Sequence, residues 1–163
     1  MPRTILFTAP TILALLAACG GAAPVDLDTA DGSADFTMKD GTAISTDTTG
    51  KGMTPPDNLP DFAPIFPGGT VQQVMVNDRS PTKGIISYTA KASIDEVARF
   101  YIGKAQTAGL DLKQDDTPSD QSRSITFVKS PEPGVDIGFQ ANISSGYQPE
   151  GMVNVALTYA GPG

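Results

Sequence analysis

The chain has 163 residues, enough for one domain of ordinary size plus some additional chain, and its 17 glycines and 14 prolines fall short of a disordered composition. Eighteen acidic against eleven basic residues leave a net charge of −7, so no nucleic-acid partner is expected. With no histidine and one cysteine, His-dependent catalytic triads, His metal sites, intramolecular disulfides and thiolate clusters are all excluded, and no metal or cofactor is expected.

In chain order, Met1-Pro2-Arg3 supplies one positive charge and Thr4 to Ala18 none. That uncharged run is too short and too interrupted for a spanning helix, which needs about 20 predominantly apolar residues. A basic start, a short apolar segment and small residues together form the pattern of a secretory signal peptide over residues 1–18. The segment ends Leu16-Ala17-Ala18-Cys19, which resembles the lipobox of bacterial lipoproteins. The resemblance implies cleavage between Ala18 and Cys19, diacylglycerol on the Cys19 thiol, and attachment to a membrane through its acyl chains. Two or more chains hold stably where one binds only reversibly. Gly20 stands where an aspartate favours inner-membrane retention, so the resemblance places the protein on the outer membrane, facing the periplasm.

Residues 19–56 read as a lipid-anchored flexible spacer. Small and polar residues dominate, large apolar residues such as Val25, Phe36, Ile44 and Met53 are isolated, and six aspartates face only Lys39 and Lys51. Such a segment buries too little apolar surface to offset its ordering entropy. Prolines at 55, 56, 60, 64 and 67 follow. Between Pro60 and Gly69, the side chains of Phe62, Ile65 and Phe66 read as a strap over an open edge of the core, and Pro67-Gly68 suits a type II turn.

From there residues 57–163 read as a single domain. Val71 to Val76 and Gly84 to Ala90 are expected strands, joined by a polar loop from Asn77 to Lys83. A helix is expected from Ile94 to about Ala108. Ser93 and Glu96 form its capping box, Ile94, Val97, Ala98, Tyr101, Ala105 and Ala108 its apolar stripe, and Gly109 its stop. Asp111 to Gln114 is a short strand, followed by a polar loop from Asp115 to Ser122 and a strand from Ser124 to Lys129. Val135, Ile137, Phe139, Ala141 and Ile143 alternate with polar or small residues, as do Val153, Val155, Leu157 and Tyr159. The order ββαββββ predicts an α+β fold: an antiparallel sheet of five to six strands with one helix packed on one face. Pro64-Ile65-Phe66-Pro67-Gly68-Gly69, together with Ser93-Ile94-Asp95-Glu96-Val97-Ala98-Arg99-Phe100-Tyr101, resembles a recurring type of small extracytoplasmic bacterial domain. The resemblance implies no activity.

Catalytic motifs are weak. Ser80-Pro81-Thr82-Lys83 matches the S-x-x-K pattern of penicillin-recognising serine enzymes, but it falls in an expected loop and lacks the companion S-D-N and K-T-G motifs. Asp115-Asp116 sits in a polar loop without the apolar shielding that separates paired carboxylate pKa values. No enzyme activity is expected. The candidate binding residues are Gln140, Asn142 and Asn154 on the polar outer sheet face, beside Asp136 and Thr158, with Tyr147 in the loop from Ser144 to Gly151 as an aromatic anchor. The plainer alternatives are a hydrated face and a Tyr147 packed back on the sheet edge. The functional expectation is a noncatalytic accessory or adaptor of the cell envelope, whose partners are the membrane, through Cys19, and an envelope protein. A module binding an envelope glycan or small ligand is the alternative, and an enzyme comes last.

Overall fold

The computed structural model of the chain describes residues 32–77 and 79–162. Leu16, Ala17, Ala18 and Cys19 lie outside them, as does the rest of the expected signal peptide. The described elements are β1 (Ser33–Thr37), β2 (Thr42–Asp47), β3 (Thr70–Asn77), β4 (Ser80–Ala90), α1 (Ile94–Thr107), β5 (Asp111–Ser119), β6 (Ser122–Glu132), β7 (Val135–Ser144) and β8 (Val153–Ala160). They form one sheet in the order β1-β2-β3-β4-β8-β7-β6-β5, antiparallel at every neighbouring pair. Two four-stranded meanders thus meet at the β4–β8 seam, and α1 carries the chain from the centre of the sheet to its far edge.

This corrects the expected five-to-six-stranded sheet with a helix packed on one face. Among the described residues the fold is mainly sheet, with eight strands and a single 14-residue helix. At 1.5 Å per residue that helix is about 21 Å long, against roughly 34 Å for eight strands spaced ~4.8 Å apart. It meets the sheet chiefly at β6 and β7. Leu112, paired opposite the buried Phe127, is accordingly left 53% exposed at the β5 edge.

The two additional strands come from the stretch that reads as spacer. Asp40-Gly41 closes a tight hairpin: Gly41 takes a φ of +86°, its N–H donates to the Met38 carbonyl, and the Thr42 N–H donates to Asp40 Oδ1. Phe36 then pairs with Ile44, and Ile44 with Met75 of β3. These isolated apolar residues find partners across strands, where no local window shows them. At the other end of the hairpin Asp47 accepts from the backbone N–H groups of Thr49, Gly50 and Gly52, while Thr48 donates to the Gly32 carbonyl. The expected polar loop after Gln114 is also corrected, since β5 continues to Ser119 with every residue exposed. An edge strand wet on both faces shows no apolar period.

The helix begins as its sequence dictates, with Ser93 accepting from the Glu96 N–H and the Glu96 carboxylate accepting from the Ser93 N–H. Val97, Ala98, Tyr101 and Ala105 enter the core beside Ile86, Tyr88, Ile125, Phe139, Val155 and Leu157. The strap joins them: Phe62 stacks on Phe139 with ring centroids 6.4 Å apart, and Phe66 meets Phe100 edge-on at 5.2 Å. Beneath it the Tyr101 hydroxyl donates to the Pro64 carbonyl at 3.0 Å, and the Tyr88 and Tyr101 hydroxyls lie 2.8 Å apart. Tyr101 spends its only proton on Pro64, so Tyr88 donates to Tyr101. One buried relay therefore ties sheet, helix and strap.

Burial pushes the Tyr88 phenol up to about 12 from 10.0, and Tyr101 also moves upward, through burial and then the neighbouring Tyr88. A phenol whose folded pKa is raised contributes stability that is complete below pH 10 and is lost as pH rises through the folded value. Urea midpoints should therefore hold to about pH 10 and fall steeply above it. Tyr101→Phe orphans the Pro64 carbonyl and removes the acceptor for Tyr88. It should cost about 1–3 kcal/mol at pH 7 and flatten the alkaline loss; an unchanged alkaline slope would contradict this account.

Candidate interaction surface

Side chains alternate across the sheet, so register assigns each residue to a face. Ile86, Tyr88, Phe139, Ala141, Val155 and Leu157 fill the core, which sends Ile85, Ser87, Gln140, Asn142, Ala156 and Thr158 to the opposite, outer face. One cross-strand row on that face runs Phe36, Ile44, Met75, Ile85, Thr158, Gln140, Thr126, Gln114. Its first four members are apolar and its last four polar. The outer face is polar over β8 to β5, while over β1 to β4 this apolar row, with Ile85 38% exposed, lies beside a polar one of Thr46, Gln73 and Ser87.

Of the expected binding residues, Gln140, Asn142 and Asn154 share the polar half. Asn142 is exposed, Asn154 is half-buried, and half-buried Gln140 donates from Nε2 to Ser124 Oγ at 3.4 Å. Asn154 pairs opposite Ser144, one step from Asn142 toward the strand end that leads into the Tyr147 loop. Asp136 accepts from the Ser130 hydroxyl. Tyr147 stands apart from these amides. The loop is built, with the Gln148 N–H donating to the Ser145 carbonyl, Met152 to Pro149, and Ser145 to Gln121 of the neighbouring turn. The Tyr147 ring is 103% exposed, so it does not pack back on the sheet edge. Gly32 reaches the sheet at this same strand end, beside Thr48.

Arg123 is a feature that the sequence reading missed. It lies opposite Ile143, on the core side of β6, with its side chain 19% exposed. Its Nε and Nη2 each donate to one oxygen of Asp115 at 2.8 Å, and Nη1 donates to Asp95 Oδ1 at 3.1 Å. The edge strand and the first turn of α1 are thereby clamped together. Asp115 and Asp116 point to opposite faces because they are consecutive in a strand, so they form no carboxylate pair. The visible signal was an arginine inside the alternation that starts β6, eight residues after Asp115. The clamp borders a cleft of about 540 Å³ lined by Ser93, Asp95, Thr117, Asp120, Arg123 and Ser145. Ser80 and Lys83 lie in the extended β4, where the ladder to β3 is irregular (Asn77 pairs with Ser80 and Val76 with Gly84), so they do not share the helical turn that brings serine and lysine together in that pattern. Among the described residues, no group of three or more His, Cys, Asp or Glu side chains is placed to hold a metal ion, and no helix is long and apolar enough to cross a membrane.

No protein-family model and no curated protein matches the chain. Among solved structures it is similar to the solution structure of cyanobacterial PsbP (CyanoP) from Synechocystis sp. PCC 6803. The identity is 13% and the TM-score 0.38, with 89% of this chain and 86% of that chain covered.

The Arg123 hydrogen bond holds the Asp115 carboxyl below its ordinary value of 3.8, against the opposing effect of burial. A carboxyl depressed in the fold contributes stability above its ordinary value and loses it as pH falls through the folded one. Asp115→Asn should cost about 1 kcal/mol at pH 7, because the pair is only partly shielded from solvent. The gap between variant and parent in urea melts should close below pH 4; a gap of equal size at pH 3 would show that the charge is not what matters.

Proposed function

We propose that this protein is a noncatalytic accessory or adaptor of a bacterial cell envelope, attached by acyl chains on Cys19 to the outer membrane and facing the periplasm. The anchor reading rests on Leu16-Ala17-Ala18-Cys19 and the signal-like segment before it. The adaptor reading rests on Tyr147, a fully exposed aromatic on a hydrogen-bonded turn. An aromatic ring held in water by an ordered loop is poorly placed for folding and well placed to anchor a partner.

The two readings meet in the geometry of attachment. Strand β1 starts at Ser33, so the tether is shorter than a spacer running to residue 56. Thirteen residue steps separate Cys19 from Gly32 and reach at most about 45 Å. Gly32 joins the sheet at the strand end that carries the Tyr147 loop, so this loop works within tether range of the lipid surface. The partner in this reading is an envelope protein whose contact region lies close to the membrane.

A photo-crosslinking residue at Tyr147 should capture one envelope protein in cells, while the same residue at Asp111, on the opposite strand end, should not. Equal capture at both positions, or none at Tyr147, would refute the adaptor reading. Mass spectrometry of native protein should find a chain beginning at acylated Cys19, and Cys19→Ser should abolish the added mass. Native chains that retain residues 1–18 would refute the anchor. The exposed Asn142 and Thr158 on the polar half of the outer face support a glycan-binding module as the second reading. Co-sedimentation with peptidoglycan that is lost in Asn142→Ala would favour it.

A further inference from the structure

Tyr147 marks a surface, and the residues around its loop say what kind of partner that surface fits. The Ser145 N–H donates to the Gln121 carbonyl at 3.0 Å, and a Cβ on Gly146 would stand 3.1 Å from Gln121 Oε1, so the loop rests on the turn between β5 and β6. Asp120 precedes Gln121 in that turn, and Glu150 follows Tyr147 by three residues in the loop. Both carboxylates are exposed, and neither makes an ion pair among the described residues. Loop and turn together wall the cleft of about 540 Å³ beside α1, the loop through Ser145 and Gly151 and the turn through Asp120.

Arg123 does not neutralise this cleft. Its single charge is already set against two carboxylates, Asp115 through two hydrogen bonds and Asp95 through one. The Asp95 side chain is nevertheless 77% exposed, with Oδ1 alone engaged by the arginine. Glu96 adds nothing to the count, since it accepts from the Ser93 N–H and lies within electrostatic reach of Arg99. Loop and turn contain no lysine or arginine of their own. The nearby cation besides Arg123 is Lys91, exposed and just ahead of Ala92 in the cleft wall. Asp95, Asp115, Asp120 and Glu150 thus stand against Arg123 and Lys91. Negative charge is in surplus beside an aromatic ring that the fold does not use.

We propose that the cleft receives an arginine side chain from a basic surface of the envelope-protein partner, its guanidinium hydrogen-bonded to Asp95 and Asp120, while the Tyr147 ring packs on the surface that carries it. Carboxylates from two different elements, with serine and threonine hydroxyls as further acceptors, suit a planar fork of five donors better than the point charge of a lysine. Tyrosine and arginine are also the residue types on which interface energy concentrates. The cleft has the volume of an ordinary ligand cleft, ample for one long side chain. The inference rests on the adaptor reading for the existence of the partner and adds the partner's chemistry.

The probe is acetyl-arginine methylamide, with acetyl-citrulline methylamide as its uncharged near-isostere, titrated into the full chain carrying Cys19→Ser. The arginine probe should give saturable amide shifts at Ser93, Asp95, Asp120 and Ser145. The citrulline probe should bind about threefold more weakly or worse. Asp120→Asn should weaken the arginine probe by a similar factor and leave Tm within about 2 °C of the parent, because its carboxylate supports no ion pair in the fold. In cells, capture from a crosslinker at Tyr147 should fall about threefold or more in Asp120→Asn and recover in Asp120→Glu. Equal binding of the two probes, shifts scattered over the surface, or undiminished probe binding or capture in Asp120→Asn would each overturn the inference while leaving Tyr147 as the anchor. Absence of capture in the parent would overturn the adaptor reading, and this inference with it.

Discussion

Two phenol hydroxyls in an apolar interior hold together parts of the chain that have little else in common. Tyr88 comes from the sheet, Tyr101 from the helix, and Pro64 from an extended strap with no ladder of its own. A buried hydroxyl is costly unless it is paired, and here each group satisfies the next. The relay thus does more than add a hydrogen bond: it specifies how far the strap lies from the helix and which turn of the helix faces β4. With that spacing set, Phe62 reaches Phe139 and Phe66 reaches Phe100, and the aromatic cluster closes over the sheet.

Beyond this cluster the sheet is wider than its helix is long, and its margins are protected by different means. Strand β5 is exposed throughout and carries Asp111, Lys113, Asp115, Asp116 and Pro118, a composition that discourages pairing with another chain. Arg123 keeps this margin attached to the first turn of α1 through Asp115 and Asp95. At the other margin β1 is only five residues long, and its hairpin is locked at one end by Asp40 and Gly41 and at the other by Asp47 and Thr48. A short strand clamped at both ends offers little free edge. The polar stretch from Gly32 to Gly52 thus owes its order to backbone and carboxylate hydrogen bonds more than to apolar burial.

The candidate surface was legible in part. Alternation along β7 and β8 sufficed to put Gln140, Asn142 and Asn154 on one face, since period-two side-chain direction is a local property of an extended chain. The apolar row on that face was not legible, because Phe36, Ile44, Met75 and Ile85 belong to four strands and line up only through register. The exposure of Tyr147 was open for a related reason. A turn sequence says that the chain reverses, while the direction of its ring depends on whether the neighbouring hairpin leaves room for it.

What the sequence by itself determined is what short-range physics controls: the capped helix and its buried stripe, the strands with one dry face, the Pro67-Gly68 turn, the strap and the exclusion of histidine chemistry. Each follows from residues within a turn or a few strand positions of one another, where propensity, capping and side-chain direction act. Only the tertiary structure decided that β4 pairs with β8, that β2 extends the sheet from β3, that Asp115 belongs to a strand, and that Arg123 faces inward to meet it. Those outcomes compare surfaces and charges brought together from distant parts of the chain. The pairing free energy that selects among them resides in the contact and is absent from either segment alone.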